Sequence, residues 1–187
     1  PGRFQLAQLW IALPKHECER EPAFEHYPVL PILERGGFRV TVLAGAFAGM
    51  RSPARVFTPL VGLDLASTVG ARTELPLDPA FEYAAVTLEG EPAVDGEALA
   101  AGTLLYLGPG RAALAVDCAA ASRLLLIGGE PFGEDLLLWW NFVARTREEM
   151  ETATRDWNQG RRFGKVQGAR AAPLVAPDIE SLRPRGT

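Results

Sequence analysis

Few of the side chains that usually carry chemistry are present. Histidine occurs twice, as His16 and His26, and cysteine twice, as Cys18 and Cys118. Two cysteines so far apart make neither a disulfide framework nor a cysteine-rich zinc site, and they point to a reducing, cytoplasmic compartment. No apolar run reaches the ~18 residues of a membrane-spanning helix, so no membrane partner is expected. The opening PGRFQLAQLW has no basic start followed by the apolar core of a secretion signal. Positive charge is not in surplus: 19 Lys and Arg stand against 23 Asp and Glu, for a net charge of −4 and a sequence pI near 5.3. That balance does not favour nucleic acid, whose nonspecific binding needs excess Lys and Arg to displace phosphate counterions.

What is present is apolar and punctuated. The 187 residues are 48% hydrophobic, enough to bury the core of one moderate domain. Fifteen prolines and nineteen glycines argue against a helical bundle, since both interrupt helices and build turns. Residues 4–13 alternate and then become continuously apolar, which predicts a leading strand. Residues 14–35 are polar and broken by Pro22, Pro28 and Pro31, and are expected to form an arm anchored by Phe24, Tyr27, Val29, Leu30 and Ile32.

Short strand-like runs follow at 38–44, 54–57, 60–65, 71–75, 83–89, 92–94, 103–107, 112–116 and 123–127. Turn signals separate them, among them Gly36-Gly37, Gly49, Asp95-Gly96 and Gly108-Pro109-Gly110. Asp95-Gly96 between Val94 and Leu99 predicts a hairpin whose two central residues take positive φ. Many short strands at this spacing imply a sandwich or barrel. The pattern changes near residue 145. Thr146 and Glu149 fit a capping box, and Met150, Ala153, Thr154 and Trp157 fall on one face of a helix that Gly160 would stop. The predicted organisation is a leading strand and arm (1–35), a barrel (36–145), a helix (146–160) and an extended tail (161–187).

Residues 75–117 resemble the core of the cupin barrel, a double-stranded β-helix or jelly roll. Gly90 matches the glycine that ends the first cupin motif, with Glu82 or Tyr83 near its glutamate position. Gly102 and Gly110 match the second motif, with 103–107 as the strand between them; Gly108 stands where proline is usual. The family's metal-binding His-x-His falls on Leu75-Pro76-Leu77-Asp78, and its later histidine on about Ala113. Leu, Pro and Ala cannot ligate, and a catalytic Fe, Mn or Zn needs about three imidazole or carboxylate ligands. Asp78, Glu82 and Asp117 offer oxygen atoms, but carboxylates beside turns are usually solvated surface groups. No residue of this chain is therefore assigned as catalytic, cofactor-binding or metal-binding.

A second resemblance spans most of the chain. Gln8-Leu9-Trp10-Ile11-Ala12-Leu13-Pro14 and the proline-rich arm resemble the start of the second domain of pirins. Gly128-Gly129-Glu130-Pro131, Trp139-Trp140-Asn141-Phe142-Val143 and Trp157-Asn158-Gln159-Gly160-Arg161-Arg162-Phe163 resemble the pirin C-terminus. Pirins are bicupins, and the resemblance implies a degenerate cupin barrel corresponding to their C-terminal half. It implies that Fe(II) or a similar divalent metal is held by three histidines and a glutamate of an N-terminal half not contained in this chain. Pirin-like relatives include quercetin 2,3-dioxygenases and a eukaryotic transcriptional cofactor. The functions to be weighed are thus a half that braces a metal-bearing cupin, a protein-binding regulatory module, and a barrel that binds a flavonoid-like small molecule. The expected partners are an N-terminal cupin half or a second copy of the chain.

Individual residues carry weaker signals. His16 and His26 could form a metal site on the arm or reach a partner barrel, but Pro22 breaks the element that would hold them, and two solvated histidines are the simpler outcome. Cys18 has Lys15 and Arg20 near in sequence, offset by several carboxylates. Cys118 is expected to be a small packing residue. Trp139, Trp140 and Phe142 could line a flavonoid pocket, though large aromatics more often fill a core; strand alternation would put Trp139 and Trp140 on opposite faces. Arg161-Arg162-Phe163 is a weak nucleic-acid signal.

Overall fold

The computed structural model describes residues 6–165, 168 and 170–179. Strands follow one another in antiparallel pairs, each built where small and β-branched apolar side chains alternate with polar ones. β1 (Ile32–Arg35) and β2 (Phe38–Phe47) form a hairpin turned by Gly36 and Gly37, both at positive φ. Phe38, Val40 and Val42 of β2 alternate inward and are fully buried. A two-residue turn at Ala48-Gly49 leads to β3 (Met50–Arg51), which pairs back onto β2. Then come β4 (Leu60–Pro76), β5 (Glu82–Glu89), the small hairpin of β6 (Ala93–Val94) and β7 (Glu97–Ala98), β8 (Leu104–Gly108) and β9 (Ala113–Gly129).

The spine of the sheet is the pairing of the two 17-residue strands, β4 and β9, along their whole length from Leu60↔Gly129 to Pro76↔Ala113. The other edge of β9 is shared: its first part pairs with β6 and its last part with β5. The main path of the nine-stranded sheet is β1-β2-β4-β9-β5-β8, with β3 on β2 and the β6–β7 hairpin on β9 lying off it. Its core is a single cluster containing Phe38, Leu63, Leu65, Leu75, Leu114, Leu124 and Leu126, all fully buried. Among the described residues Asp64 is the one buried carboxylate, and Arg123 clamps it with two bonds, Nε at 2.9 Å and Nη2 at 2.6 Å.

The chain divides into two compact units. Leu13–Glu17 and Phe24–Pro131 form the barrel unit. The other comprises Pro1–Ala12, Cys18–Ala23 and Phe132–Thr187. Within it, β10 (Leu137–Trp139) and β11 (Phe142–Ala144) make a two-stranded hairpin, followed by helix α1 (Arg147–Asn158). Phe142, Ala144, Met150, Ala153, Ala176 and Ile179 make its core.

Several expectations change. The leading strand at 4–13 is absent over 6–13, and residues 4 and 5 lie outside the described residues. Leu6, Leu9, Trp10 and Ile11 are exposed, and an apolar run without a partner strand has no ladder to join. In the arm, Phe24 and Val29 are exposed rather than anchoring, and Ile32 begins a strand. Lys15–Glu17 is a short 3₁₀ turn. The run at 54–57 is bent, since Pro53 and Pro59 bracket it and the Ala54 N–H turns back to Ser52 Oγ at 3.2 Å. The runs 60–65 and 71–75 are one strand, as are 112–116 and 123–127. Their small or polar middles pair with each other, Ser67 with Ser122 and Val69 with Ala120.

Candidate functional site

Of the positions that carry metal ligands in the resembling cupin motifs, Leu75 is a core residue, Leu77 is half-buried, and Pro76, Asp78 and Ala113 are exposed. Leu75 is fully buried inside the barrel, beside its cross-strand partner Leu114, which is equally buried. Ala113 offers only a methyl group, and Pro76 pairs with it in the ladder. Leucine, proline and alanine side chains have no lone pair to give, and Asp78 is the one donor among these residues, so they do not supply the ligand set of a redox metal. The carboxylates weighed as oxygen ligands have other work. Asp78 is exposed and its Oδ1 accepts from the Ala80 N–H at 2.9 Å. Glu82 Oε2 accepts from the Tyr106 hydroxyl at 2.7 Å. Asp117 sits opposite Arg72 across the β4–β9 ladder. His16 and His26 are exposed. Among the described residues no three His, Cys, Asp or Glu side chains gather where they could hold a metal ion.

The barrel does have an open cavity, of about 930 Å³, at the end where β2, β4 and β5 meet the loop 52–59. Its construction starts with a kink in β2. The register against β4 shifts between Val42 and Ala44, and Gly45 follows at φ +70. A Cβ on Gly45 would lie 1.7 Å from the Leu60 carbonyl oxygen, so only glycine lets the two backbones approach this closely. Beyond the kink, the turn at Ala48 (φ +47) and Gly49 (φ +81) folds β3 back. Buried Ser52 then pins the end of β3: its N–H donates to Gly45 O at 2.9 Å and its hydroxyl to Leu43 O at 2.8 Å. On the opposite wall, the buried Tyr83 hydroxyl accepts from the Asp78 N–H at 2.9 Å. Burial pushes this phenol above its ordinary pKa. The Phe81 ring lies beside it, with centroids 6.1 Å apart.

In the other unit, Trp140, Phe142, Trp157 and Phe163 form an aromatic cluster with centroids 5.5 to 6.5 Å apart. Trp139 and Trp140 are not alternate residues of one strand. Trp139 ends β10, and Trp140 takes φ +50 in the turn, which swings its ring onto Phe142. The cluster is core, and Trp157 Nε1 closes it by donating to Leu174 O at 2.7 Å. Arg162 of the basic pair stacks on Phe163 at 5.5 Å and donates to the Cys18 carbonyl at 3.3 Å. The Cys18 sulfur accepts from Arg145 Nη1 at 3.0 Å. Sequence spacing gives no hint of this contact, because 127 positions separate the two residues. Cys118 is buried and its thiol faces Val69 O at 3.6 Å, as a packing residue. No described helix is long and apolar enough to cross a membrane.

Strand order, paired long strands and an apolar interior define a cupin-type barrel. The chain belongs to the pirin family: residues 62–164 match the model of the pirin C-terminal cupin domain. A Pseudomonas aeruginosa protein bearing a provisional quercetin 2,3-dioxygenase name is 44% identical over 174 residues, covering 92% of this chain and 55% of that protein. A pirin-like protein of Caulobacter vibrioides is 32% identical, covering 86% of this chain and 56% of its own length. Among solved structures, a quercetin 2,3-dioxygenase from Acinetobacter baumannii superposes with a TM-score of 0.85 at 42% identity, over 95% of this chain and 58% of that one. The chain thus spans little more than half the length of these relatives.

Proposed function

We propose that this chain is the bracing half of a pirin-like protein: a cupin barrel that supports a second, metal-bearing cupin and houses no redox metal of its own. The observation that carries this is the chemistry of the barrel interior. Leu75-Pro76-Leu77-Asp78 and Ala113 stand where the resembling motifs hold imidazoles, and the core beside Leu75 is apolar. The names of the relatives support quercetin 2,3-dioxygenation as the activity of a whole protein, and the lack of imidazole in residues 75–117 is what supports a site outside this barrel.

The test is metal analysis and oxygen uptake with quercetin on two proteins, this chain alone and the same chain with its upstream coding sequence. The expected result is stoichiometric metal and turnover only in the longer protein. Stoichiometric iron and flavonol turnover by the 187 residues alone would overturn the proposal. A longer protein with neither metal nor turnover would overturn its enzymatic part and favour a protein-binding module.

A further inference from the structure

The cavity at the barrel mouth has no part in the reading proposed above. Its volume of about 930 Å³ falls in the range of small-molecule sites, and its walls combine apolar side chains with exposed polar atoms. Phe47, Phe57, Phe81 and Tyr83 supply aromatic surface from different elements, which suits a flat ring.

The polar groups at the mouth narrow the ligand further. Arg51 lies on the cavity wall, exposed, and its guanidinium makes no hydrogen bond or ion pair among the described residues. Its backbone is nonetheless fixed, by pairing with Ala46 in β2 and by the hydrogen bonds of Ser52 next to it. An unpaired cation on a pinned hairpin is a prepared contact for a planar anion, which a guanidinium grips through two parallel N–H groups. Asp78 is the one acid on the wall, and the Ala80 N–H already occupies its Oδ1. One guanidinium offers a single pair of parallel N–H groups, which matches one carboxylate. The Asp78 carboxylate retains acceptor capacity for a hydroxyl on the ligand.

We propose that this cavity binds an aromatic carboxylate, its ring against Phe47 and Phe81 and its carboxylate on Arg51. Binding here is independent of the bracing role, and it would stand if the upstream half proved inactive. The test is calorimetric titration of the protein, including any upstream half, with 4-hydroxycinnamate at neutral pH. Two variants assign the site: Arg51→Gln removes the cation from an exposed position, and Ala46→Trp obstructs the mouth from another. Saturable binding is expected, weakened about tenfold or more by Arg51→Gln and abolished at this site by Ala46→Trp. The uncharged amide of the same compound is expected to bind at least about tenfold more weakly. No saturable binding, equal affinity in Arg51→Gln and wild type, or equal affinity for acid and amide would each overturn the assignment.

Discussion

Tyr83 shows how one side chain couples the barrel wall to its packing. It is 2% exposed, its hydroxyl accepts from the Asp78 N–H, and its ring rests against Gly128, where a Cβ would come within 2.4 Å. Burial raises its pKa above the ordinary 10.0, so the folded chain keeps the phenolic proton after the unfolded chain has lost it. The sign follows. This contribution to stability is complete below the unfolded pKa and is lost as pH rises through the folded one. Tyr27 and Tyr106, raised by their hydrogen bonds to Glu25 and Glu82, titrate in the same window but are common to both proteins, so the difference between wild type and Tyr83→Phe isolates Tyr83. Tyr83→Phe is expected to cost about 1 kcal/mol at neutral pH through the lost hydrogen bond. The deficit should shrink above the ordinary tyrosine pKa, where the wild type begins to lose its advantage. Urea unfolding of both proteins at neutral and alkaline pH measures this, and a deficit that did not change with pH would contradict it.

At the scale of the element, legibility tracks how local the information is. The helix was legible because its determinants lie within a few residues. Thr146 caps α1 with its hydroxyl 3.1 Å from the Glu149 N–H, and Glu149 returns a carboxylate to the Arg145 N–H at 2.8 Å, one residue before the cap. Asp95-Gly96 was legible for the same reason; both residues have positive φ, and Asp95 Oδ1 adds a bond from the Ala115 N–H. The long strands were not, because 66–70 and 118–122 look like turns until each is seen paired with the other. The cavity cation was missed outright. Arg51 carries no local signature, and only the bulge and glycine of β2 bring it to the mouth. The absence of histidine from the barrel motifs, by contrast, could be read directly from 75–117. Thr146→Ala is expected to destabilise the helical unit by about 1 kcal/mol, while Thr146→Ser retains most of the cap. All four tryptophans fall in that unit, so a urea midpoint followed by tryptophan fluorescence reports on it. Equal losses in the two variants would mean that the hydroxyl is not what holds the first turn.

For the whole molecule, what the barrel leaves uncovered matters as much as what it buries. The nine-stranded sheet ends on β1 at one side and β8 at the other. The two ends differ in kind. β1 carries Glu34 and Arg35, charges that discourage pairing with another strand. β8 presents Leu104 and Tyr106, about 60% exposed and separated by two positions, so they share one face. An edge strand with an apolar face is a template for association, and on β8 the charged neighbours are spent on Arg111 Nε to the Leu107 carbonyl at 2.9 Å and the Tyr106 hydroxyl to Glu82 Oε2 at 2.7 Å, leaving Leu104 uncovered. We therefore expect the isolated chain to self-associate through this edge. Sedimentation velocity across a concentration series should show a rising weight-average mass. Leu104→Lys should restore the monomer without lowering the urea midpoint by more than about 0.5 kcal/mol equivalent, because the side chain is at the surface. A wild-type chain that stayed monomeric at high concentration would show that the exposed edge is tolerated alone. An associated Leu104→Lys variant would move the contact elsewhere, with exposed Leu137 and Leu138 of β10 the next surface to substitute.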